Sequence, residues 1–482
     1  MNRLGTVRTK FRAGRFVCFP RKVGPQRAHS TKFARIFAPF LLLPAVLLLA
    51  EAGKATAQMV GAEIQADQQP AQVLLLDDVI REALENNPEA KSAFHTFHAL
   101  QRRVPQVKTL PDPTVSVGWA GNLAPFSLQR GDPSSSRAIT VGEQFPYPGK
   151  LRLRGEIASK EAEAAQADYE AVRRRVAAEV KAAFYDYFYF DQAIRTTNQN
   201  KDLLEKLSKI AEARYRVGKA MQQDVLRSQV EISLLLERLT VLEQQRATAQ
   251  ARINTFLLRS PESPLPPAGD VHPAVIRYSL DELYALAAGN DTAVLRNQRM
   301  VERGRLGVAL AQKEYKPDVG VGYMFQQRSE QPYMNGLTFS VSIPIFYKTK
   351  QRQGVAEASE DLLSAEKMRD NRLNEVRFEL KQQYLAAKAS ERLVSLYSTG
   401  IVPQSSLALE SSMTAYQVGN VDFLSLIANF TTLLSYETDY YRQLADGQTA
   451  VARMESLTGV NLVGDPTMSP PAPTSQPAKE KK

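Results

Sequence analysis

Cysteine is almost missing from this chain, because Cys18 is the only cysteine in 482 residues. One cysteine cannot form a disulfide within the chain, so a disulfide framework and zinc sites built from several cysteines are both excluded. Histidine is scarce as well. His95 and His98 lie three residues apart on a predicted helix, but no third ligand of matching spacing accompanies them. This pattern favours ordinary packing over metal binding, and we predict no metal site.

Sequence motifs of catalysis are also missing. The chain contains no G-x-S-x-G, no P-loop and no H-E-x-x-H motif, each of which positions a nucleophile, a phosphate or a zinc ion. Carboxylates are abundant, but most alternate with Lys and Arg, as on solvated helix faces. We therefore predict no enzyme activity and no cofactor.

Long apolar runs are absent after residue 57. Before it, Phe37–Ala50 forms an apolar run that follows a basic segment and precedes Ala55-Thr56-Ala57. This order is typical of a secretory signal peptide cleaved before Gln58; a short membrane anchor is the alternative. Because no later run reaches 18 apolar residues, we expect an exported protein that enters a membrane only through β-strands or by binding its surface.

The net charge of +10 comes from the N-terminal segment. Eleven of the 61 Lys and Arg residues, but only one of the 51 Asp and Glu residues, lie within residues 1–57. The rest of the chain therefore carries fifty residues of each sign. Phosphate binding needs a basic surface on the folded part, so no nucleic-acid partner is predicted.

The chain repeats itself once. Leu76-Asp77-Asp78 recurs 204 residues later as Leu280-Asp281-Glu282, and Tyr215-Arg216-Val217-Gly218 recurs 201 residues later as Tyr416-Gln417-Val418-Gly419. Similar offsets in the same order indicate two copies of one unit. The predicted parts are a signal peptide (1–57), a first repeat (58–259), a Pro-rich linker (260–277), a second repeat (278–462) and a disordered tail (463–482).

Each repeat is predicted to contain a helix, two strands and a long helical hairpin. Apolar residues recur at steps of three and four from Tyr169 to Ile194, which predicts a packed helix. This spacing continues through the aromatic segment Phe184–Phe190, so a helix is favoured there over a strand. The predicted hairpin arms are 151–216, 222–258, 351–415 and 421–457. A break is expected at Thr399–Pro403, because proline disrupts a helix.

The predicted strands lie within about 114–146 and 317–346. Their residues alternate, as where Val115 and Val117 interleave with Thr114, Ser116 and Gly118. One apolar face fits the core of a soluble sandwich or the lipid-facing side of an outer-membrane barrel. Four strands build neither structure well alone, whereas closing a barrel across several subunits removes the open edges.

Several motifs together resemble the TolC-like outer-membrane efflux family over about residues 74–462. The residues that carry the resemblance are Leu76-Asp77-Asp78, Asn87-Pro88, Leu110-Pro111-Asp112-Pro113, Gln144-Phe145-Pro146-Tyr147-Pro148-Gly149-Lys150, Ala213-Arg214-Tyr215-Arg216-Val217-Gly218-Lys219 and Met454-Glu455-Ser456-Leu457-Thr458-Gly459-Val460. The resemblance implies a mainly α fold with a β part. Each protomer of a homotrimer gives four strands to a 12-stranded barrel in outer-membrane lipid, continued by a long α-helical coiled-coil barrel in the periplasm.

The same resemblance implies partners and a function. The family forms the passive exit duct of tripartite efflux pumps, docked through a periplasmic adaptor to an inner-membrane transporter. Two motifs, Phe145–Lys150 and Val421–Leu424, most resemble those of family members that work with heavy-metal efflux systems. This resemblance implies an inner-membrane transporter of the resistance-nodulation-division type. Multidrug efflux and type I protein secretion use the same duct. A soluble periplasmic coiled-coil scaffold or adaptor, and a periplasmic enzyme, are the alternatives of other classes.

The two Tyr-x-Val-Gly turns are the first candidate site, because the resemblance places them at periplasmic tips that meet the adaptor. The residues predicted to make this contact are Val217, Gly218, Lys219, Val418, Gly419 and Asn420. The family carries a Val-Gly-Leu type contact here, and Lys219 and Asn420 depart from it. Alternatively, each glycine simply ends a helix in the left-handed conformation.

A pore constriction is the second candidate site. Asp224 and Asp422 follow the two turns, and N-capping of the next helix is the favoured interpretation of both. In a trimer they could instead form rings of carboxylates that narrow the pore and select cations, with Leu424 as an apolar constriction. The gating Asp of some relatives falls at Ala428, so that gate does not transfer to this chain.

Overall fold

The computed structural model describes residues 73–121, 128, 130, 132 and 134–463. The predicted signal peptide lies outside the described residues, as does the predicted tail after Val463. The described helices are α1 Leu76–Asn86, α2 Pro88–Lys108, α3 Lys150–Arg216, α4 Gln222–Phe256, α5 Leu280–Asn290, α6 Thr292–Lys313, α7 Gln351–Leu396, α8 Val402–Val418 and α9 Phe423–Thr458. The strands are β1 Thr114–Ala120, β2 Ser136–Phe145, β3 Asp318–Arg328 and β4 Met334–Ser342.

The order of elements is the same in both halves: two short helices, two strands and a long helical hairpin. Two helices stand where one was predicted, because a polar side chain starts the second helix of each pair. Asn87 accepts hydrogen bonds from the backbone of Glu89 and Ala90 at the start of α2. Asp291 accepts one from the backbone of Val294 at the start of α6. Such caps satisfy free N–H groups at a helix start.

The hairpin arms form helices close to the predicted bounds. The longest arm, α3, has 67 residues, which corresponds to about 100 Å at 1.5 Å per residue. The segment Phe184–Phe190 is helical, as predicted, and Tyr187 and Phe188 are buried in it. A large hydrophobic cluster near the hairpin ends joins α3 and α4 to α8 and α9. Its most buried members include Leu204, Leu207, Leu426 and Phe430.

The disruption predicted at Thr399–Pro403 is present as an irregular turn, but it does not end the helix, because the chain remains helical through it. Tyr397–Ile401 forms a π-helical turn that joins α7 to α8, with the Val402 N–H donating to the carbonyl of Tyr397. The wider turn accommodates Pro403, which lacks an N–H and would clash in a regular helix. The Thr399 hydroxyl donates to the carbonyl of Ser395 at 2.7 Å and so satisfies an acceptor at this irregularity.

The four strands form one antiparallel sheet in the order β1-β2-β3-β4. One row across the sheet consists of Val115, Val141, Tyr323 and Leu337. These four side chains are 43–70% exposed. The row beside it, on the opposite face, is Thr114, Gly142, Gly322 and Thr338. The predicted alternation is therefore confirmed, and the apolar face is exposed in the single chain.

A buried lysine ties this sheet to the first long helix. Lys150, at the start of α3, has a side chain that is only 2% exposed. Its Nζ lies 2.9 Å from Asp318 Oδ1 and 3.0 Å from Glu314 Oε2. The backbone N–H of Tyr147 also donates to Asp318 at 2.7 Å. This cluster fixes where α3 leaves the sheet.

Among the helices that the structure describes, none has the length and apolar content to span a membrane.

Candidate functional site

The first turn, between α3 and α4, is built on a glycine at a helix end. Gly218 has φ +71°, a left-handed conformation that glycine adopts without steric cost. The N–H of Lys219 donates to the carbonyl of Arg214 at 2.8 Å, and that of Gly218 to Tyr215 at 2.9 Å. This pair of bonds is a Schellman motif, which satisfies the last carbonyls of a helix.

The second turn, between α8 and α9, repeats this geometry. Gly419 has φ +91°, and the N–H of Asn420 donates to the carbonyl of Ala415 at 2.9 Å. The N–H of Gly419 also lies 3.1 Å from the carbonyl of Tyr416. Both glycines therefore end helices in the left-handed conformation, so that interpretation is confirmed. It leaves the predicted adaptor contact open, since the same residue can serve both purposes.

The predicted contact residues are all exposed. Val217 and Val418 are 67% and 68% exposed, and the four residues that follow them, Gly218, Lys219, Gly419 and Asn420, are exposed as well. When a partner covers apolar side chains that are this exposed to solvent, the burial of their surface is favourable. The turns therefore present two small apolar contacts, each followed by a polar or basic residue.

Arg214 brings the two turns together. Its guanidinium carbon lies 4.7 Å from the ring centre of Tyr416, within the range of a cation–π contact. Its Nη2 donates to the carbonyl of Lys219 at 3.2 Å. A Cβ built on Gly419 would lie 3.2 Å from the same nitrogen. The Arg214 side chain thus packs on Tyr416, beside the turn between α8 and α9, and donates a hydrogen bond to the turn between α3 and α4.

Tyr416 links this contact to the start of both following helices. Its hydroxyl donates to Asp224 Oδ2 at 3.5 Å, and its ring lies 5.3 Å from that of Phe423. Burial of the phenol, and next the nearby carboxylate of Asp224, raise the pKa of Tyr416 to about 12. The hydroxyl therefore stays protonated at neutral pH and remains a donor.

The N-capping interpretation is right for Asp422 and wrong for Asp224. Asp422 precedes α9, and its carboxylate accepts from the Ser425 backbone N–H at 3.1 Å and from the Ser425 hydroxyl at 2.6 Å. These hydrogen bonds, the hydroxyl first, lower the pKa of Asp422. Asp224 lies within the first turn of α4, where Met221 is the residue before the helix. Its partner is Tyr416, 192 residues away in the chain, which sequence reasoning could not locate.

The side chains of the candidate constriction residues differ in their exposure to solvent. Asp422 is exposed and Leu424 is 60% exposed, whereas Asp224 is half-buried. A charged and an apolar side chain thus lie two residues apart at the start of α9. Phe423, between them, is only 2% exposed and anchors the turn.

Sequence reasoning missed Arg214 and Tyr416 as a pair. Both lie within the Tyr-x-Val-Gly motifs or directly before them, so the motifs located the region. The signal for their contact is absent from the sequence, because it depends on how two hairpins 200 residues apart pack together.

The histidine pair on α2 lies beside an aromatic ring, because both His95 and His98 contact Phe94. The His98 ring lies 4.2 Å from that of Phe94, which in turn lies 5.6 Å from Tyr169. Within residues 73–121, 128, 130, 132 and 134–463, no group of three His, Cys, Asp or Glu side chains is placed to hold a metal ion.

Comparison with known proteins supports the resemblance. Residues 79–257 match the model of a family described as outer membrane efflux protein. No curated protein matches the chain.

Solved structures match most of the chain. The outer membrane protein VceC of Vibrio cholerae is 16% identical with a TM-score of 0.68, covering 80% of this chain and 96% of its own. CusC, described as forming a transmembrane channel, is 12% identical with a TM-score of 0.69, covering 80% and 91%. The MtrE outer membrane channel of Neisseria gonorrhoeae is 16% identical with a TM-score of 0.66, covering 80% and 89%. Identities this low establish the shared fold, which confirms the predicted mainly helical class with its four-stranded sheet.

Proposed function

We propose that this chain, which resembles the TolC-like outer-membrane efflux proteins in sequence and in fold, is the outer-membrane channel of a tripartite efflux system. It would conduct substrates passively from an inner-membrane pump to the exterior. The observation that carries the proposal is the sheet. It exposes one apolar face and is continued by long helices, of which α3, with 67 residues, is about 100 Å long.

The sheet supports insertion into lipid as a homotrimer. In the described chain, β1 and β4 each pair with one neighbour only, so both outer edges are open to another strand. Three copies joined edge to edge would give twelve strands. The apolar row of Val115, Val141, Tyr323 and Leu337 would then face lipid, and the row of Thr114, Gly142, Gly322 and Thr338 would face the lumen. This alternation is the one that outer-membrane barrels use.

The rival scaffold function fits this sheet poorly. A soluble periplasmic coiled-coil protein would leave the face in water. Val117, Leu337 and Phe339 are each 70% or more exposed. Apolar patches of this kind on soluble proteins normally mark a binding surface. Lipid covers such a face completely.

The helical end supports a periplasmic partner. The two Schellman turns present Val217 and Val418 at the hairpin ends, and Arg214 holds the turns side by side. We propose that a periplasmic adaptor packs on these turns and connects them to an inner-membrane transporter of the resistance-nodulation-division type. The helical barrel would then lie in the periplasm and the sheet in the outer membrane.

Heavy-metal cations are the proposed substrate class. The exposed carboxylate of Asp422 would form a ring of three negative charges in the trimer, and such rings favour cations over anions. Leu424, two residues on, would add an apolar constriction. Asp224 would contribute less, since Tyr416 engages its carboxylate.

The first test is the native mass of the mature protein after detergent extraction from an outer-membrane fraction. We expect a stable trimer in that fraction. Single-channel conductance of the same sample in a planar bilayer should show an open pore. A monomer or dimer recovered from the soluble periplasm without detergent would overturn the channel and leave the scaffold function in its place.

A further inference from the structure

A cavity rich in arginine lies between α3, the last turns of α4 and α9, the start of α6, and α7. Its volume is about 610 Å³, which falls in the range of small-molecule sites. The arginines on its wall are Arg174, Arg175, Arg252, Arg372 and Arg453. We refer to this space as the arginine cavity.

Two of the five arginines on the wall of the arginine cavity are paired with carboxylates. Glu179 and Asp291 are the carboxylates on its wall. Arg175 pairs with Glu179 at 3.0 Å, and Arg372 lies 3.5 Å from Asp291. Asp291 is engaged further, because it also caps α6. Arg175 also pairs with Glu89, and Arg372 also pairs with Glu375 and Glu379. The charges of these two arginines are therefore offset, and the guanidinium groups of the other three arginines remain.

Those three arginines form no ion pair with any described residue. Arg174 donates to the backbone carbonyl of Asn290 at 2.7 Å, which leaves its charge without a carboxylate. Arg252 and Arg453 are exposed side chains, and Arg252 interacts only at longer range with Asp186. Guanidinium groups that line one space without paired carboxylates repel one another, and an anion among them offsets that repulsion.

Two further features favour an anion. Thr292 and Ala293 on the wall belong to the first turn of α6, a helix of 22 residues. The N-terminus of a helix carries a partial positive charge, which the Asp291 carboxylate offsets only in part where it accepts from the N–H of Val294. The Nε of Arg372 is buried and has no hydrogen-bond partner among the described residues. Arg372 therefore has donor capacity beyond its ion pairs.

We infer that the arginine cavity binds a ligand that carries two or more oxyanion groups, either phosphates or carboxylates. The planar fork of a guanidinium matches both groups with two parallel hydrogen bonds. Several forks around one space select a multivalent anion over chloride, because chloride offers a single small charge. The inference is independent of the proposed channel function, since it rests on helices away from the sheet and the turns.

Isothermal titration calorimetry on the whole detergent-extracted protein tests the site. The probes are pyrophosphate, for phosphate groups, and tricarballylate, for carboxylates, with sodium chloride at matched ionic strength as the control. We expect saturable binding of at least one probe and none of chloride. The tighter probe identifies the chemistry of the ligand. Binding of neither probe would overturn the inference.

Variants locate the binding. Replacing two of the three unpaired arginines together, R252Q with R453Q, should weaken binding by about tenfold or more, as expected for lost hydrogen bonds to a charged group. Each single variant should weaken it by less. R392Q is the matched control, because Arg392 is an exposed arginine on α7 about 30 Å from Arg372 at 1.5 Å per residue. Binding equal to wild type in the single and double variants would show that the probe binds elsewhere, and would sink the proposal.

Discussion

Arg174 crosses directly over Gly459, the residue that ends α9. A Cβ at position 459 would lie 2.5 Å from Nη1 and 2.8 Å from Cζ of Arg174. The same Nη1 donates to the carbonyl of Asn290 at 2.7 Å. Because Gly459 has no side chain, α3, α5 and the end of α9 are held together at one point.

Substituting G459A should therefore destabilise the fold. Alanine at φ +70° costs about 1–2 kcal/mol in the left-handed region. Arg174 would also have to move and lose its bond to Asn290. We expect the free energy of unfolding to fall by about 2–3 kcal/mol in total, measured by urea unfolding in detergent. G354A is the control, since a Cβ there meets nothing within 4 Å. Equal stabilities of the two variants would refute this account.

R214Q should loosen the two hairpin turns. The cation–π contact with Tyr416 is worth about 0.5–2 kcal/mol, so its loss should speed local opening about 2- to 30-fold. Hydrogen–deuterium exchange of residues 217–221 and 419–421 measures this opening. R216Q is the control, because Arg216 pairs with Glu212 on its own helix. Unchanged exchange in R214Q would mean that Arg214 does not join the turns.

Glu437 should make stability depend on pH. Burial raises its pKa, although a hydrogen bond from Asn200 opposes the shift. A carboxyl group with a raised pKa in the folded state stabilises the protein while protonated. That contribution is lost as the pH rises from the unfolded pKa, 4.5, through the folded pKa. E437Q should therefore be more stable than wild type at pH 7, and the advantage should shrink towards pH 4.

Thermal unfolding from pH 4 to 8 tests this sign. The amide oxygen introduced by E437Q can still accept the hydrogen bond from Asn200, so packing is preserved. E410Q, at an exposed glutamate on α8, should show no comparable trend. A pH-independent difference between E437Q and wild type would contradict the explanation.

V117R should block membrane assembly while S116R is tolerated. Val117 lies on the apolar face of β1 and is 79% exposed, whereas Ser116 points to the opposite face. A charge that faces lipid near the bilayer midplane costs about 2–4 kcal/mol. The amount of trimer in the outer-membrane fraction measures the effect. If both variants assemble equally well, the apolar face does not contact lipid.

D422N should reduce cation selectivity without unfolding the turn. Asparagine caps a helix about as well as aspartate, so α9 should keep its start while the proposed ring of three carboxylates is lost. Reversal potentials across a salt gradient measure the selectivity. D224N should change it less, because the Asp224 carboxylate is already bound by Tyr416. Unchanged selectivity in D422N would remove Asp422 from the pore.

The sequence by itself determined the local elements. Steps of three and four along α3 predicted its helix through an aromatic segment, and alternation predicted all four strands, because these periods follow from backbone geometry. Glycines after Tyr-x-Val predicted both turns for the same local reason. The π-turn before Pro403 escaped prediction, because sequence marks a disruption but not how the backbone accommodates it.

Only the tertiary structure decided what those elements bring together. Arg214 lies 202 residues before Tyr416 in the chain, and Lys150 lies 168 residues before Asp318. The arginines of the cavity come from four different helices. No local sequence pattern encodes contacts between residues so far apart in the chain. Asp224 shows the consequence: its position after a turn suggested a cap, but the packing of a second hairpin gave it Tyr416 as partner. Local propensity sets the backbone, while the choice among polar partners depends on which helices pack against each other.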